Sequence, residues 1–417
     1  MGYASEGSGL KAYFAVNGLG LGHIKRCEPI AERLIKEGWQ VFFSTYLDGY
    51  EYASRKGFRT LRATPISYAA DERGNVDYKG TLMGNGLSMG ARRALRQVTE
   101  EIRHIKAIRP DLIVSDSRAS TVIAAKLMGL PVILIINQMR IEMTENLKAN
   151  SIVERIILLI IRCSWFIIKH LIEYLWTLSD KILVPDLPPP YTISRNTLGI
   201  FAYRKRGKIS FIGPLVEGRP RRGRGLGPIG DEPFIYVAVS GPRRERRMLV
   251  SKLLEILPEI FEYRFILTEG EPLLESSPRR AGNVTIYPWV SDEDQLRLLQ
   301  GCRVVVCRAG LGMVSKALAY GKPMVLIPIP GHMEQLGNAL RVKELGFGEV
   351  LDQEDLTAPM LRGAIRRALR LAFGRGIRLI AARDPVEEFL KIIGVRRDRA
   401  AVTVKAPLKT HISFKRF

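Results

Sequence analysis

The amino-acid sequence predicts an α/β fold with two parallel-sheet domains in one chain. Short apolar runs alternate with amphipathic stretches of helical period, as strands joined by crossover helices do. The alternation occurs in two series. Between them lies EGRPRRGRGLGPIGDEP, residues 217–233, dense in Gly, Pro and Arg as an exposed linker is. A chain of 417 residues is long enough for two sizeable cores. The expected bounds are 1–212 for the first domain, 213–233 for the linker, 234–394 for the second domain and 395–417 for a basic, weakly patterned tail.

In the first series KAYFAVNG reads as a strand. Residues 24–36 follow with Ile24, Ile30 and Leu34 at helical spacing and stop at Gly38. WQVFFSTY is a second strand, residues 88–108 a basic amphipathic helix, RPDLIVSD a strand, 119–128 a helix ending at Gly129, and PVILIINQ a strand. In the second series PFIYVAVSG is a strand and RRMLVSKLLEIL a helix. YRFILTEG and NVTIYPWV are strands, DEDQLRLLQGC a helix, RVVVCRAG a strand, MVSKALAYG a helix, PMVLIPIP a strand, and residues 334–345 a helix.

Residues 151–178, SIVERIILLIIRCSWFIIKHLIEYLWTL, break the scheme. Charges interrupt them too often for a membrane span, which needs about 18 or more apolar residues. At about 100° per residue, Arg155, Arg162, Lys169 and Glu173 fall on one stripe, with Trp165 and Trp176 beside it and apolar residues over most of the rest. Such a helix is either buried in a core or lies in a bilayer interface. The charge balance favours the interface: 64 Lys plus Arg against 42 Asp plus Glu leave +22, which attracts anionic lipid, nucleic acid or phosphorylated substrates. Aromatic residues, at 8% and not interleaved with basic ones, argue against nucleic acid as the partner. Nine Asn and seven Gln beside abundant Arg lean toward a thermophilic source. The four cysteines have no metal spacing. Cys302 and Cys307 bracket one strand at opposite parity and are expected on opposite faces, unpaired. The start of the chain has no secretory pattern, so a cytoplasmic protein is expected.

NGLGLGHIKRCEPIAERL, residues 17–34, follows the first strand directly. Gly18, Gly20 and Gly22 are spaced G-x-G-x-G-H, with no acidic residue where a dinucleotide fingerprint needs one. A glycine loop feeding a helix cradles an anion. His23 falls in the first helical turn, where the helix dipole favours a neutral ring, as a general base requires. The alternative is that His23 merely caps or packs.

Residues 307–346, CRAGLGMVSKALAYGKPMVLIPIPGHMEQLGNALRVKELG, carry a second constellation. A strand ends at Arg308, Gly310 and Gly312 let backbone approach a ligand, and a helix from Met313 offers its N–H groups to phosphate. Further on, Glu334, Gln335 and Asn338 share one helical face, suited to reading hydroxyls. SDED, residues 291–294, reads as a helix N-cap with an acidic first turn, so no metal and no cofactor are expected.

The 307–346 stretch resembles the donor-binding half of family 28 glycosyltransferases, the group of the bacterial MurG-type enzymes. The match rests on R-A-G, the A-x-G-x-P step, and Q-x-x-N-A at Gln335, Asn338 and Ala339. GLGLGHIKRCEPIA is similar to the amino-terminal G-x-G-H loop of the same superfamily. It also resembles the G-H-x-x-R-C run of PseG-type nucleotide-sugar hydrolases. Over roughly residues 10–394 the resemblance implies a GT-B architecture, two Rossmann-like domains facing across a cleft. On the donor side it implies Gly310, Leu311, Gly312 and Met313 at the pyrophosphate, Ser240 and Gly241 near the phosphates, and Glu334 and Gln335 at the sugar, with Asn338 supporting their loop. Arg308 and His332 are expected among the donor-binding residues. On the acceptor side it implies Gly18, Gly20, Gly22 and a catalytic His23, with Asn137 and Gln138 lining the cleft.

The implied reaction is inverting and metal-independent. A sugar, with N-acetylhexosamine a candidate, passes from a nucleotide-diphosphate sugar (a UDP-sugar first) to a lipid-linked acceptor, by an enzyme peripheral on the inner face of the cell membrane. Lys316 departs from the pattern. Many family members have there a glutamate that holds the ribose hydroxyls, and lysine has only donors. This opens the choice of nucleotide and the competence of the site. Two other functions compete: a hydrolase in which His23 activates water, and a non-catalytic membrane-bound subunit.

Overall fold

The structure, a computed structural model, describes residues 9–66, 86–139, 152–204, 207–215, 232–241, 243–271, 277–371 and 384–395. The first sheet contains β1 (Lys11–Val16), β2 (Gln40–Thr45), β3 (Arg59–Arg62), β4 (Leu112–Asp116), β5 (Ile133–Ile135), β6 (Lys181–Val184) and β7 (Ile209–Phe211). Its order is β3-β2-β1-β4-β5-β6-β7 and every pair is parallel. Its connections include α1 (Gly22–Lys36), α2 (Leu47–Arg55), α3 (Gly86–Ile108), α4 (Ala119–Leu127), α5 (Ile152–Thr177) and α6 (Arg195–Arg204).

The second sheet contains β8 (Phe234–Ala238), β9 (Arg264–Thr268), β10 (Arg279–Ala281), β11 (Val284–Tyr287), β12 (Val304–Cys307), β13 (Met324–Leu326) and β14 (Gly348–Val350), in the order β10-β11-β9-β8-β12-β13-β14. The edge strand β10 runs antiparallel; the other pairs are parallel. With it go α7 (Arg243–Ile256), α8 (Asp292–Gly301), α9 (Leu311–Ala319), α10 (Met333–Glu344) and α11 (Ala358–Ala368). A final helix, α12 (Pro385–Ile392), follows.

Both faces of each sheet are buried, which is why the central strands are apolar without alternation. The strands and helices read from the sequence are all present. The structure adds β3, β6, β7, β10, β14, α2, α6, α11 and α12. Two of the added strands, β3 and β10, are edges rich in arginine and largely exposed, so they carry no apolar run.

The chain crosses between the units away from the expected bounds. Leu187 and Ile193, in the span expected to belong to the first domain, lie in a core of the second unit. Arg341 of α10 holds this segment by donating to the carbonyls of Thr192 (3.1 Å) and Pro190. Conversely, Phe389 and Leu390 of α12 and the adjacent Val395 lie in a core of the first unit, and Arg33 of α1 pairs with Glu387 at 2.8 Å. Residues 385–395 therefore pack with the first unit, whereas the expected second domain ran to 394. Most of the expected linker and the tail from 396 lie outside the described residues.

The parity argument for the cysteines fails, because β12 begins at Val304 and Cys302 caps α8 instead of lying on the strand. Both thiols enter the same core, free, with burial pushing each up to about 12. On α5, Trp176, Thr177 and Glu173 are buried, although Glu173 was expected on a polar stripe. Leu159, Phe166, Ile167, Leu171 and Tyr174 are each more than half exposed. The side chains of Arg162 and Trp165 lie outside the described residues. Among the described residues no helix is long and apolar enough to cross a membrane.

Candidate active site

In parallel sheets of this order, the connections run outward in opposite directions from one pair of neighbouring strands, and the crevice outside the carboxyl ends of that pair receives ligands. In the first sheet the pair is β1 and β4, in the second β8 and β12. The loop of Gly18, Gly20 and Gly22 leaves β1, and Asp116 ends β4. Ser240 and Gly241 follow β8, and Arg308 to Gly310 follow β12.

Two amides of the glycine loop are taken up within the chain: that of Leu19 donates to Asn17 Oδ1 (3.0 Å) and that of Gly20 to Asp48 Oδ2 (3.2 Å), whereas the first turn of α1 has no side-chain cap. Gly18 does not open room for substrate. It is buried, and a Cβ on it would lie 1.8 Å from the Tyr46 carbonyl oxygen. Gly20, at φ +67°, and Gly22 border open space.

His23 sits in the first turn of α1, about a quarter exposed. Its Nδ1 is 2.7 Å from Oδ1 of Asp116, whose side chain is fully buried. Arg26, one turn on, donates through Nε to Asp116 Oδ2, through Nη2 to Oδ1 (2.6 Å) and to Ser117 Oγ (3.1 Å), and through Nη1 to Asn137 Oδ1 (2.6 Å). Burial opposes the charge on Asp116, yet the Arg26 guanidinium and His23 beside it hold this carboxyl well below the usual range. Arg26 Nη2 also lies 3.1 Å from His23 Nδ1; an ionised carboxylate only accepts, so in the neutral tautomer that donates from Nδ1 to Asp116 the lone pair lies on Nε2. The backbone turns sharply next to this group: Ser117, a non-glycine residue, has φ 52°.

In the second unit α9 starts at Leu311 with no side chain capping its amides, so its first-turn N–H groups are open to an anion. Gly310 and Gly312 border open space. Leu311 is itself a core residue and Met313 packs against that core, so they offer backbone only. Arg308 is not a ligand-facing cation. It is 1% exposed and donates to the carbonyls of Ile327, Pro328 and Glu245, and burial pulls its guanidinium down to about 10. Of the three polar residues on α10, Gln335 is buried and accepts the Ile329 amide (3.1 Å), and the buried Asn338 donates to Ala309 O (3.0 Å). They brace the loops, and Glu334 alone reaches the cleft. His332 caps α10, accepting from the Gln335 amide at 3.4 Å. Ser240 and Gly241 (φ +121°) are exposed. Lys316 extends to Gln295 Oε1 of α8 (2.7 Å), and Gln138 is partly buried.

Among the described residues, polar ties between the units include that of Arg195 of α6 with Glu344 of α10 at 3.8 Å, and others lie at the site. Asn137 Nδ2 donates to Glu334 Oε1 at 2.9 Å. Lys25 Nζ meets both oxygens of Asp292 at 2.7 and 2.8 Å and lies 5.5 Å from the Trp289 ring centre. Asp116, Arg26, Lys25 and Asp292 were not picked out from the sequence. The visible sign of Asp116 was an acid closing an apolar run, and its value depended on the unseen pairing of β4 beside β1.

Comparison with known proteins agrees with this geometry. Residues 248–371 match the family described as glycosyltransferase family 28 C-terminal domain, and residues 10–164 match glycosyl transferase family 1. An uncharacterized glycosyltransferase of Methanosarcina acetivorans is 29% identical over 353 residues, covering 82% of this chain and 86% of its own. Acinetobacter baumannii MurG has the same fold, with a TM-score of 0.58 at 16% identity over 92% of this chain and 99% of its own. So does the spinosyn rhamnosyltransferase SpnG complexed with thymidine diphosphate, with a TM-score of 0.55 at 18% identity over 91% of this chain and 96% of its own. The chain is therefore a glycosyltransferase of GT-B architecture, whose residues 248–371 match the family 28 carboxyl-terminal domain.

Proposed function

We propose that the enzyme transfers a sugar with inversion from a nucleoside-diphosphate donor to an acceptor hydroxyl at a membrane surface, with His23 as general base. The observation that carries this reading is the hydrogen-bonded His23–Asp116 pair at the first crevice. His23 Nε2 takes the acceptor proton as the acceptor oxygen attacks the anomeric carbon. The bond from that carbon to the phosphate oxygen breaks, its electron pair leaves with the diphosphate, and Asp116 stabilises the imidazolium. The uncapped start of α9 receives the leaving diphosphate, and Glu334 accepts from a sugar hydroxyl. The ammonium of Lys316, held at Gln295, replaces an acceptor by a donor on the nucleoside side. This leaves uridine and thymidine diphosphates both to be tried, the latter being the one bound in the SpnG structure.

The membrane part rests on α5 and its neighbours. The helix has an exposed apolar stripe and packs on α4, which packs on α3, where Arg92, Arg93, Arg96, Arg103 and Lys106 are exposed. Exposed apolar side chains and exposed cations in one unit suit an interface of anionic lipid, where a lipid-linked acceptor resides.

The test is a thermal-shift panel of uridine, thymidine, guanosine and adenosine diphosphates and their sugars, since a bound ligand raises the melting point by mass action. At least one diphosphate is expected to do so, and no shift from any would overturn the donor reading. With the donor found, His23→Ala is expected to keep its affinity and lose about 10²-fold or more in turnover. Sugar release into water at full rate without acceptor would instead mark a hydrolase.

A further inference from the structure

Asn137, just beyond β5, is 7% exposed and has a partner at each end of its amide. Oδ1 accepts from Arg26 Nη1 at 2.6 Å, and Nδ2 donates to Glu334 Oε1 at 2.9 Å. A guanidinium only donates and a carboxylate only accepts, so the partners dictate which way the amide points. Arg26 in turn grips both oxygens of Asp116, which orients His23. The backbone of Asn137 is pinned as well. Its carbonyl accepts from Thr197 Oγ1 (3.1 Å) near the start of α6, the helix lying against Gly337 of α10, one turn from Glu334. One buried amide thus joins the sugar-reading carboxylate of one unit to the base assembly of the other.

Resting on the transferase reading above, we propose that Asn137 is a positioning residue that sets the His23–Asp116 pair and Glu334 in a common register, so that both are aimed only when the cleft is closed. The tie uses Oε1 of Glu334 and leaves Oε2 for a donor hydroxyl. No simple replacement does both jobs. Aspartate would accept from Arg26 but face Glu334 with like charge. An alkyl side chain would leave the guanidinium and the carboxylate unmatched.

The experiment uses the full chain without nucleotide or sugar, so its result is independent of the nucleotide panel. Small-angle X-ray scattering reads closure, and NMR of the His23 ring reads the base. The chain has five histidines, and the His23 signal is identified by its loss in His23→Gln. A compact chain of this length has a radius of gyration of about 22 Å, and opening of the cleft adds on the order of 1 Å. Asn137→Asp is expected to enlarge the radius and move the His23 signal. Combining it with Glu334→Gln rebuilds the bond with donor and acceptor exchanged, and is expected to return both readouts to wild type. Glu334→Ala breaks the tie from its half-buried side and is expected to act like Asn137→Asp, which keeps the test valid should that variant not fold. The proposal is overturned if Glu334→Ala changes neither readout, or if a folded Asn137→Asp protein is not restored by Glu334→Gln.

Discussion

Asp116 shows how one side chain does work that its place in the sequence does not announce. It is a buried anion whose charge is matched by Arg26 and whose direction aims His23. Removing one partner of a buried ion pair costs about 3–5 kcal/mol, because the other charge is stranded. Asp116→Asn strands Arg26 in this way while keeping the shape, so both melting point and turnover are expected to fall. The sign with pH follows from a lowered carboxyl. Its contribution is complete above the unfolded value of about 3.9 and is lost as pH falls through the lower folded value. The gap in melting point between wild type and Asp116→Asn is therefore expected to persist from pH 7 to 5 and to be lost only below about pH 4. Thermal melts across that range check it, and a gap that closes by pH 5 would break the assignment. At this scale the motifs located His23, Glu334 and the loop-supporting place of Asn338, whereas Arg308 and Gln335, expected among the donor-binding residues, turn their polar atoms into the fold. Spacing shows which residues lie near a loop, but not whether their polar atoms are turned outward or consumed by neighbouring backbone.

Elements were more legible than residues, since periodicity is a local property. The central strands and their helices follow from apolar runs with both faces covered. The starts of α1 and α9 look alike as glycine turns and neither first turn has a side-chain cap; they differ in the loop before the helix, where the Gly20 amide donates to Asp48 of α2, an element not foreseen. For α5 the sequence left core and membrane open. The structure shows a helix whose inner edge holds Trp176 and whose outer edge is apolar and open. Phe166 is 63% and Ile167 67% exposed, so changing both to Ser is expected to move stability by no more than about 0.5 kcal/mol each. The same pair is expected to weaken binding to phosphatidylglycerol vesicles by on the order of 10²-fold, the weight of two buried apolar side chains. Co-sedimentation beside a thermal melt separates the two effects. A collapsed melting point with unchanged vesicle binding would return the stripe to the core.

At the scale of the whole molecule, what the sequence hid was the exchange of segments between units, because a short helix declares its period and not the surface it will cover. Phe389 of α12 is fully buried in the first unit. Phe389→Ala is expected to cost about 3–5 kcal/mol, and calorimetry should show the loss in the transition of the first unit, although the residue follows the whole second sheet in sequence. A melt in which only the second unit weakens would contradict the packing of α12. The exchange also bears on how the enzyme moves. A body tethered at one point can swivel about three axes. Here Leu187 and Ile193 are anchored in the second unit, and α12 is anchored in the first, so the units are joined at separate places. Two pivots leave one easy degree of freedom, rotation about the line between them. The cleft should open and shut like a book on its spine, with sliding and twisting resisted, and each closure should bring His23 back over the same place in the donor site.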